Sequence, residues 1–435
     1  MKTFARLAAS VIALSAASAN DLERAVREDW QALRPLYEHL HANPELSFEE
    51  HQTAARMASE LRALGFEVTE GVGGTGVVGI VRNGDGPTVM VRADMDGLPV
   101  KEDTGLPYAS TAIATDRFGN EFPSMHACGH DVHMTSLIGT MRQMMARQED
   151  WSGTLIAILQ PAEEIGEGAK AMLDDGLYSR FPTPDVVLGL HDAAAIPAGV
   201  VGYTSGYALA NVDTVDIYVK GIGGHGAYPH TTKDPVVIGA QIVTALQTLV
   251  SRETNPLDSA VVTVGAFNAG TKHNIISPEA HLQLTVRSYA DETRERLLTG
   301  IERIAHAQAM AAGLPEEMWP VVTVADPYIP STYNDPELSD RVGGVIRAAL
   351  GDDRVFTAPP VMGGEDFSQF GRTEDDIPTL IFWIGAVDPE KHAAAEAGGP
   401  ALPSLHSPFF APVPEPTITT GVTAMTAAVL DLMAN

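Results

Sequence analysis

Gly86-Pro87-Thr88-Val89-Met90-Val91-Arg92-Ala93-Asp94-Met95-Asp96-Gly97 is the stretch that decides the fold. A short apolar run sits between a Gly-Pro turn and an acidic, glycine-terminated one. A strand that is apolar without alternation belongs to a central sheet covered on both faces. Outward from it the chain alternates. A helical pattern fills 21–66, with Leu22, Val26, Trp30, Leu33 and Tyr37 at helical spacing, a break at Asn43-Pro44 and a stop at Gly65. Strand-like runs at 76–82, 88–93, 153–159 and 186–190 are interleaved with helical ones at 134–147 and 168–174. This is an α/β pattern, and in such sheets ligands collect beyond the carboxyl ends of the strands. Asp94, Glu163-Glu164 and His191 each directly follow an apolar run, so they are expected to converge there.

The pattern changes near residue 205. A half-exposed strand at 211–220 precedes a helix at 235–252, strands at 260–267 and 280–288, a helix at 292–312 and a strand at 319–325. The order β-α-β-β-α-β is that of a ferredoxin-like split unit. The sequence therefore predicts a discontinuous α/β domain, a mixed central sheet flanked by helices over 20–205 and 326–435, interrupted by an α+β satellite over 206–325. Helices at 338–350 and 417–433 and a strand at 379–385 return to the first domain.

The chemistry-bearing residues are unusual in kind. Met125-His126-Ala127-Cys128-Gly129-His130-Asp131 packs a thiol and two imidazoles into a glycine-hinged turn. Gln160-Pro161-Ala162-Glu163-Glu164 sets two carboxylates side by side after a strand. Thiolate and imidazole suit zinc and its neighbours better than magnesium or calcium. With a single cysteine, the chain cannot build a multi-cysteine structural zinc site. Cys128, His130, Glu164, His191 and His406 are the candidate metal ligands, and Glu163 is the neighbouring acid that takes a proton from water. Gly223-Gly224-His225-Gly226 carries a further histidine in the satellite, suited to stabilising a developing oxyanion. Arg287 could clamp a carboxylate with two hydrogen bonds.

The chain has 28 basic and 56 acidic residues, a net charge of −28, which argues against nucleic acid and anionic membranes as partners. Lys2 and Arg6 precede an apolar stretch that ends in Ala17-Ser18-Ala19, the pattern of a signal peptide over 1–19 and of export to the periplasm or beyond.

Arg92-Ala93-Asp94-Met95-Asp96-Gly97-Leu98-Pro99, His126-Ala127-Cys128-Gly129-His130-Asp131, Gln160-Pro161-Ala162-Glu163-Glu164, Gly223-Gly224-His225-Gly226-Ala227-Tyr228-Pro229-His230 and Gly363-Gly364-Glu365-Asp366-Phe367 together resemble the dinuclear metallo-aminoacylase and carboxypeptidase family. The branch resembled is that of hippurate hydrolases and plant auxin-conjugate amidohydrolases. The resemblance implies two divalent metal ions, with Cys128 bridging them, His130 and His191 on one, and Glu164 and His406 on the other. It implies Glu163 as general base, Asp94 orienting a ligand from behind, His225 at the scissile carbonyl, and Asn274 and Arg287 at the substrate. Zinc suits the thiolate; manganese, cobalt and nickel support the same arrangement. The implied substrate is a small N-acyl amino acid and the implied assembly a homodimer through the satellite. One departure is visible: Asp192-Ala193-Ala194-Ala195 follows His191 where the branch has an apolar-aromatic stretch, so Asp192 is expected to alter the pocket wall. Alternatives are a metal-dependent dipeptidase or carboxypeptidase, a cysteine hydrolase with Cys128 as nucleophile, and a non-catalytic periplasmic metal- or peptide-binding protein.

Overall fold

In the computed structural model, residues 16–435 are described; the expected leader lies almost wholly outside them. Contacts divide the described residues into two units, one of residues 16–208, 333–359 and 366–435, the other of 209–332 and 360–365.

The first unit is built on an eight-stranded mixed sheet, in the order 67–72, 76–83, 153–160, 88–94, 186–197, 379–387, 201–203, 355–357. Its centre is parallel: Thr88–Asp94 pairs with Gly153–Gln160 on one side and Val186–Pro197 on the other, and Thr379–Val387 continues the row. Every residue of Thr88–Asp94 after the first is buried, as the unbroken apolar run predicts. Helices Ala16–Ala42, His130–Ala146, Pro336–Leu350 and Pro414–Met433 pack on one another, and Leu22, Trp30, Leu137, Met141, Val342 and Val422 join the strand side chains in one core. Asp335 caps the helix after it by accepting from the Leu338 N–H at 2.8 Å, with Pro336 at its first position.

The sequence-predicted boundaries shift where side chains bring distant backbone together. The strand Glu67–Val72, unpredicted because four of its six residues are polar or glycine, pairs antiparallel with Gly76–Asn83. The helix predicted from Met134 begins at His130, because Gly129 turns the chain at φ 77. Residues 326–332 and 360–365 fall in the second unit instead of the first. The reason is local: Ile329 bridges Val212, the Ala210 N–H donates to the Gly363 carbonyl at 2.9 Å, and Gly364 packs so closely on Val212 that an added Cβ would meet its Cγ2 at 2.5 Å.

The second unit has the β-α-β-β-α-β order. Its sheet runs 260–269, 279–288, 211–220, 321–324, with every pairing antiparallel. Asn211–Lys220 alternates buried and open positions, and Val215, Ile217 and Val219 meet Ile242, Leu246, Leu297 and Ile301 of helices Pro235–Thr248 and Asp291–Ala311 in a separate core. The first of these helices ends in a π-turn over Leu249–Glu253, so the long helix predicted there is two segments.

A buried ion cluster ties the first helix to the sequence around His130. His41 Nδ1 lies 2.7 Å from Asp131 Oδ2 and its Nε2 lies 3.1 Å from Glu102 Oε1. Burial lowers the pKa of His41, but Asp131 and Glu102 prevail and hold it up at about 10, from an ordinary 6.5. His41→Ala leaves two buried carboxylates without their counterion and is expected to cost about 3–5 kcal/mol. The imidazolium contribution is complete below pH 6.5, where the unfolded chain is protonated too, and disappears as pH rises from there through about 10. Urea unfolding of wild type and variant across that window should show the gap between them closing with rising pH.

Candidate metal centre

Three parallel strands deliver the site. Asp94 is the last residue of its strand and pairs in register with Gln160, one residue before the turn that carries Glu163 and Glu164. His191 lies on the neighbouring strand opposite Trp383. Cys128 comes from the turn before helix His130–Ala146, and His406 from the loop ahead of the last helix.

These side chains share one small space. Cys128 Sγ lies 3.6 Å from His191 Nε2 and 3.3 Å from His406 Nε2. His406 Nε2 is 3.5 Å from Glu164 Oε2, and His130 Nε2 is 3.8 Å from both Glu164 Oε1 and Glu163 Oε2. Donors about 2.0–2.3 Å from a shared ion in tetrahedral array lie roughly 3.3–3.8 Å from each other, the spacing found here. Cys128, His130 and His191 form one three-donor group and Cys128, Glu164 and His406 another, with the thiol common to both. Cys128, His130, Glu163 and His191 are buried, whereas His406 is exposed and marks the solvent side.

Hydrogen bonding supports a cation here. His130 Nε2 and Glu164 Oε1 are buried without a hydrogen-bond partner. Leaving such atoms unsatisfied costs about 1–3 kcal/mol each, and a pair of cations, one beside His130 Nε2 and one beside Glu164 Oε1, would satisfy them. Burial, opposed by His130 and reinforced by Asp96 and Asp94, pushes Glu164 up to about 8. Burial and then the surrounding carboxylates raise the Cys128 thiol well above its ordinary range. The donor set of one thiol, three imidazoles and a carboxylate fits a zinc-like ion.

Behind these donors the chain holds each one in place. His191 Nδ1 donates to the Asp192 carbonyl at 2.6 Å, which turns Nε2 toward Cys128. Asp94 accepts from Arg92 Nη1 at 2.7 Å, lies 2.6 Å from His133 Nδ1 and is 3.6 Å from His130 Nε2. Burial raises the Asp94 pKa, yet Arg92, His130 and His133 hold it well below the usual carboxylate range. Arg92 itself is buried and also donates to Gln160 and Asp366.

Asp96, which the sequence reading passed over, lies closer to the machinery than expected. Its Oδ1 is 3.3 Å from His130 Nδ1 and accepts the Glu163 N–H at 3.1 Å; its Oδ2 accepts the Glu164 N–H, also at 3.1 Å. The signal was present in Asp94-Met95-Asp96, since residues two apart along extended chain share a face.

Asp192 does not form a pocket wall. Successive strand residues point to opposite faces, so His191 faces the cluster while Asp192 is buried behind it, 3.3 Å from His133 Nε2 and packed on Gly129. A Cβ on Gly129 would come 2.4 Å from Asp192 Oδ2. Gly129→Ala also places a side chain at φ 77, worth about 1–2 kcal/mol before the clash is counted. The expected result is a variant that melts earlier and binds metal more weakly, read by thermal unfolding with and without added zinc.

The remaining predicted residues lie in the second unit. His225 pairs with Ile275, and the Gly226 N–H donates to the Asn274 carbonyl at 2.9 Å, so His225 and Asn274 are neighbours on a two-stranded ribbon. His225 is exposed, with Nδ1 accepting from the Ala227 N–H at 3.0 Å. Arg287 donates to the Met362 carbonyl at 2.6 Å.

Residues 90–398 match the peptidase family M20/M25/M40. The chain is 38% identical to the hippurate hydrolase of Campylobacter jejuni over 333 residues, covering 76% of this chain and 82% of that protein. It is 34% identical to the N-acetylcysteine deacetylase of Bacillus subtilis over 377 residues, 86% of this chain and 93% of the relative. Among solved structures it resembles the Bacillus subtilis YXEP protein, a dinuclear metal-binding peptidase of the M20 family, with a TM-score of 0.75 and 29% identity over 94% of this chain and 99% of that one. The chain belongs to the peptidase family M20/M25/M40, and it is a metal-dependent hydrolase of linear amides.

Proposed function

We propose that the protein hydrolyses N-acyl amino acids, cutting the amide between an acyl group and an amino acid that keeps its carboxylate. The observation that carries this reading is the shared space around Cys128, in which donors from four separate segments lie 3.3–3.8 Å apart with Glu163 at their side. The substrate class is supported by relatives named for hippurate and for N-acetylcysteine.

Cys128, His130, Glu164, His191 and His406 would hold two divalent ions. Cations bound there would supply Lewis acidity, polarising the scissile carbonyl and making water more acidic. Glu163, beside His130 and buried, takes the proton from the attacking water and returns it to the leaving nitrogen. Asp96 fixes the backbone that carries Glu163, so the carboxylate need not be ordered during the reaction. The leader-like first nineteen residues support export, and the family resemblance supports a homodimer through the second unit. Light scattering and N-terminal sequencing of secreted protein test these two points.

The deciding experiment is metal analysis of purified protein with a hydrolysis screen. The screen should include hippurate, N-acetyl amino acids and dipeptides, with and without chelator. Turnover of N-acyl amino acids that chelator abolishes and metal restores is expected. Turnover of dipeptides alone would move the assignment to a carboxypeptidase, and none on any amide would end it.

A further inference from the structure

One buried acid outside the donor set is spent on the same turn. Glu50 stands at the start of helix His51–Ala63, yet its carboxylate caps nothing of that helix. Glu45 does so instead, accepting the N–H groups of Gln52 at 3.1 Å and Thr53 at 2.8 Å. Glu50 reaches across the fold. Its Oε1 accepts the Ala162 N–H at 2.8 Å, and its Oε2 accepts the Thr75 hydroxyl. Ala162 sits at φ 51, a left-handed conformation unusual for a residue with a side chain.

Three successive N–H groups, of Ala162, Glu163 and Glu164, therefore end on buried carboxylates from two other segments. With their backbone donors tied outward, the two glutamate side chains are directed to the cluster side. The rest of the turn offers little redundancy at Ala162, whose carbonyl accepts from the N–H groups of Glu167 at 3.3 Å and Gly168 at 3.2 Å. The strained φ is held from one side by those bonds and from the other by Glu50.

We propose that Glu50 is a positioning residue for the Glu163-Glu164 turn, acting through the Ala162 N–H. This rests on the reading of Glu163 as the base. Asp96 accepts from the Glu163 and Glu164 N–H groups, while the Ala162 N–H itself ends on Glu50. Glutamine keeps the length of the side chain and an acceptor oxygen for the Ala162 N–H. Aspartate keeps the charge but is one methylene short of Ala162.

The test uses full-length, metal-loaded wild type, Glu50→Gln, Glu50→Asp and Glu50→Ala. In Glu50→Asp and Glu50→Ala, kcat on the best N-acyl amino acid should fall about 10–100-fold, the scale of small misplacements of reacting groups. KM should stay near wild type, kcat is expressed per bound metal because Glu164 rides on the same turn, and Glu50→Gln should recover most of kcat. Hydrogen exchange supplies a readout that needs no turnover. Peptides over 161–165 should exchange at least about tenfold faster in the Asp and Ala variants, while helix His51–Ala63 stays protected. Unchanged protection of 161–165 in both variants would overturn the proposal, as would loss of the helix's protection along with the turn's. If wild type hydrolyses nothing, the substrate reading fails and the exchange arm still decides the role of Glu50.

Discussion

Glu163→Ala binds metal as wild type does and loses turnover by about 10²–10⁴-fold, the contribution of a positioned general base. The expectation follows from where Glu163 stands. Its Oε2 is 3.8 Å from His130 Nε2, at the edge of the cluster, while Cys128, His191 and His406 meet one another without it. Removing it takes away the group that moves the proton and leaves the donors in place. The loss should appear in kcat, with KM little changed, because the base acts only as the bond to water forms. Metal content by elemental analysis and steady-state kinetics on an N-acyl amino acid check it together. A variant that keeps most of the activity would remove Glu163 from the role of base.

His191→Ala is expected to fail differently, losing metal first and activity in consequence. His191 Nε2 lies 3.6 Å from Cys128 Sγ, and its other nitrogen is fixed on the Asp192 carbonyl. Changes to groups behind a ligand already cost 10–100-fold in metal affinity, so removal of the ligand should cost more than about 100-fold. Competition against a chelator of known affinity gives the number. Added metal should restore part of the turnover in His191→Ala and none in Glu163→Ala. Equal metal affinity in wild type and His191→Ala would place the cation elsewhere.

Much of this arrangement is legible in the sequence because strand ends are legible. The runs before Asp94, Glu163-Glu164 and His191 are apolar and stop at polar residues, so convergence at one sheet edge follows from the α/β rule alone. The ferredoxin-like order of the second unit is equally plain, since alternation in Asn211–Lys220 reports a sheet open on one face. What the sequence conceals is the support. Glu49-Glu50 at a helix start reads as an ordinary favourable charge near a helix dipole, and nothing local reveals that Glu50 reaches residue 162. Asp192 looks like a change to the pocket because a sequence lists neighbours without faces; the strand turns it inward onto Gly129 and His133. Gly129 hides the true start of its helix, because a positive φ cannot be seen from composition.

Anomalous diffraction from metal-loaded crystals tests the central claim most directly. Two peaks flanking Cys128 Sγ, one within reach of His130 and His191 and the other of Glu164 and His406, are the predicted result. A single peak away from Cys128, or none in protein shown to hydrolyse amides, would contradict it.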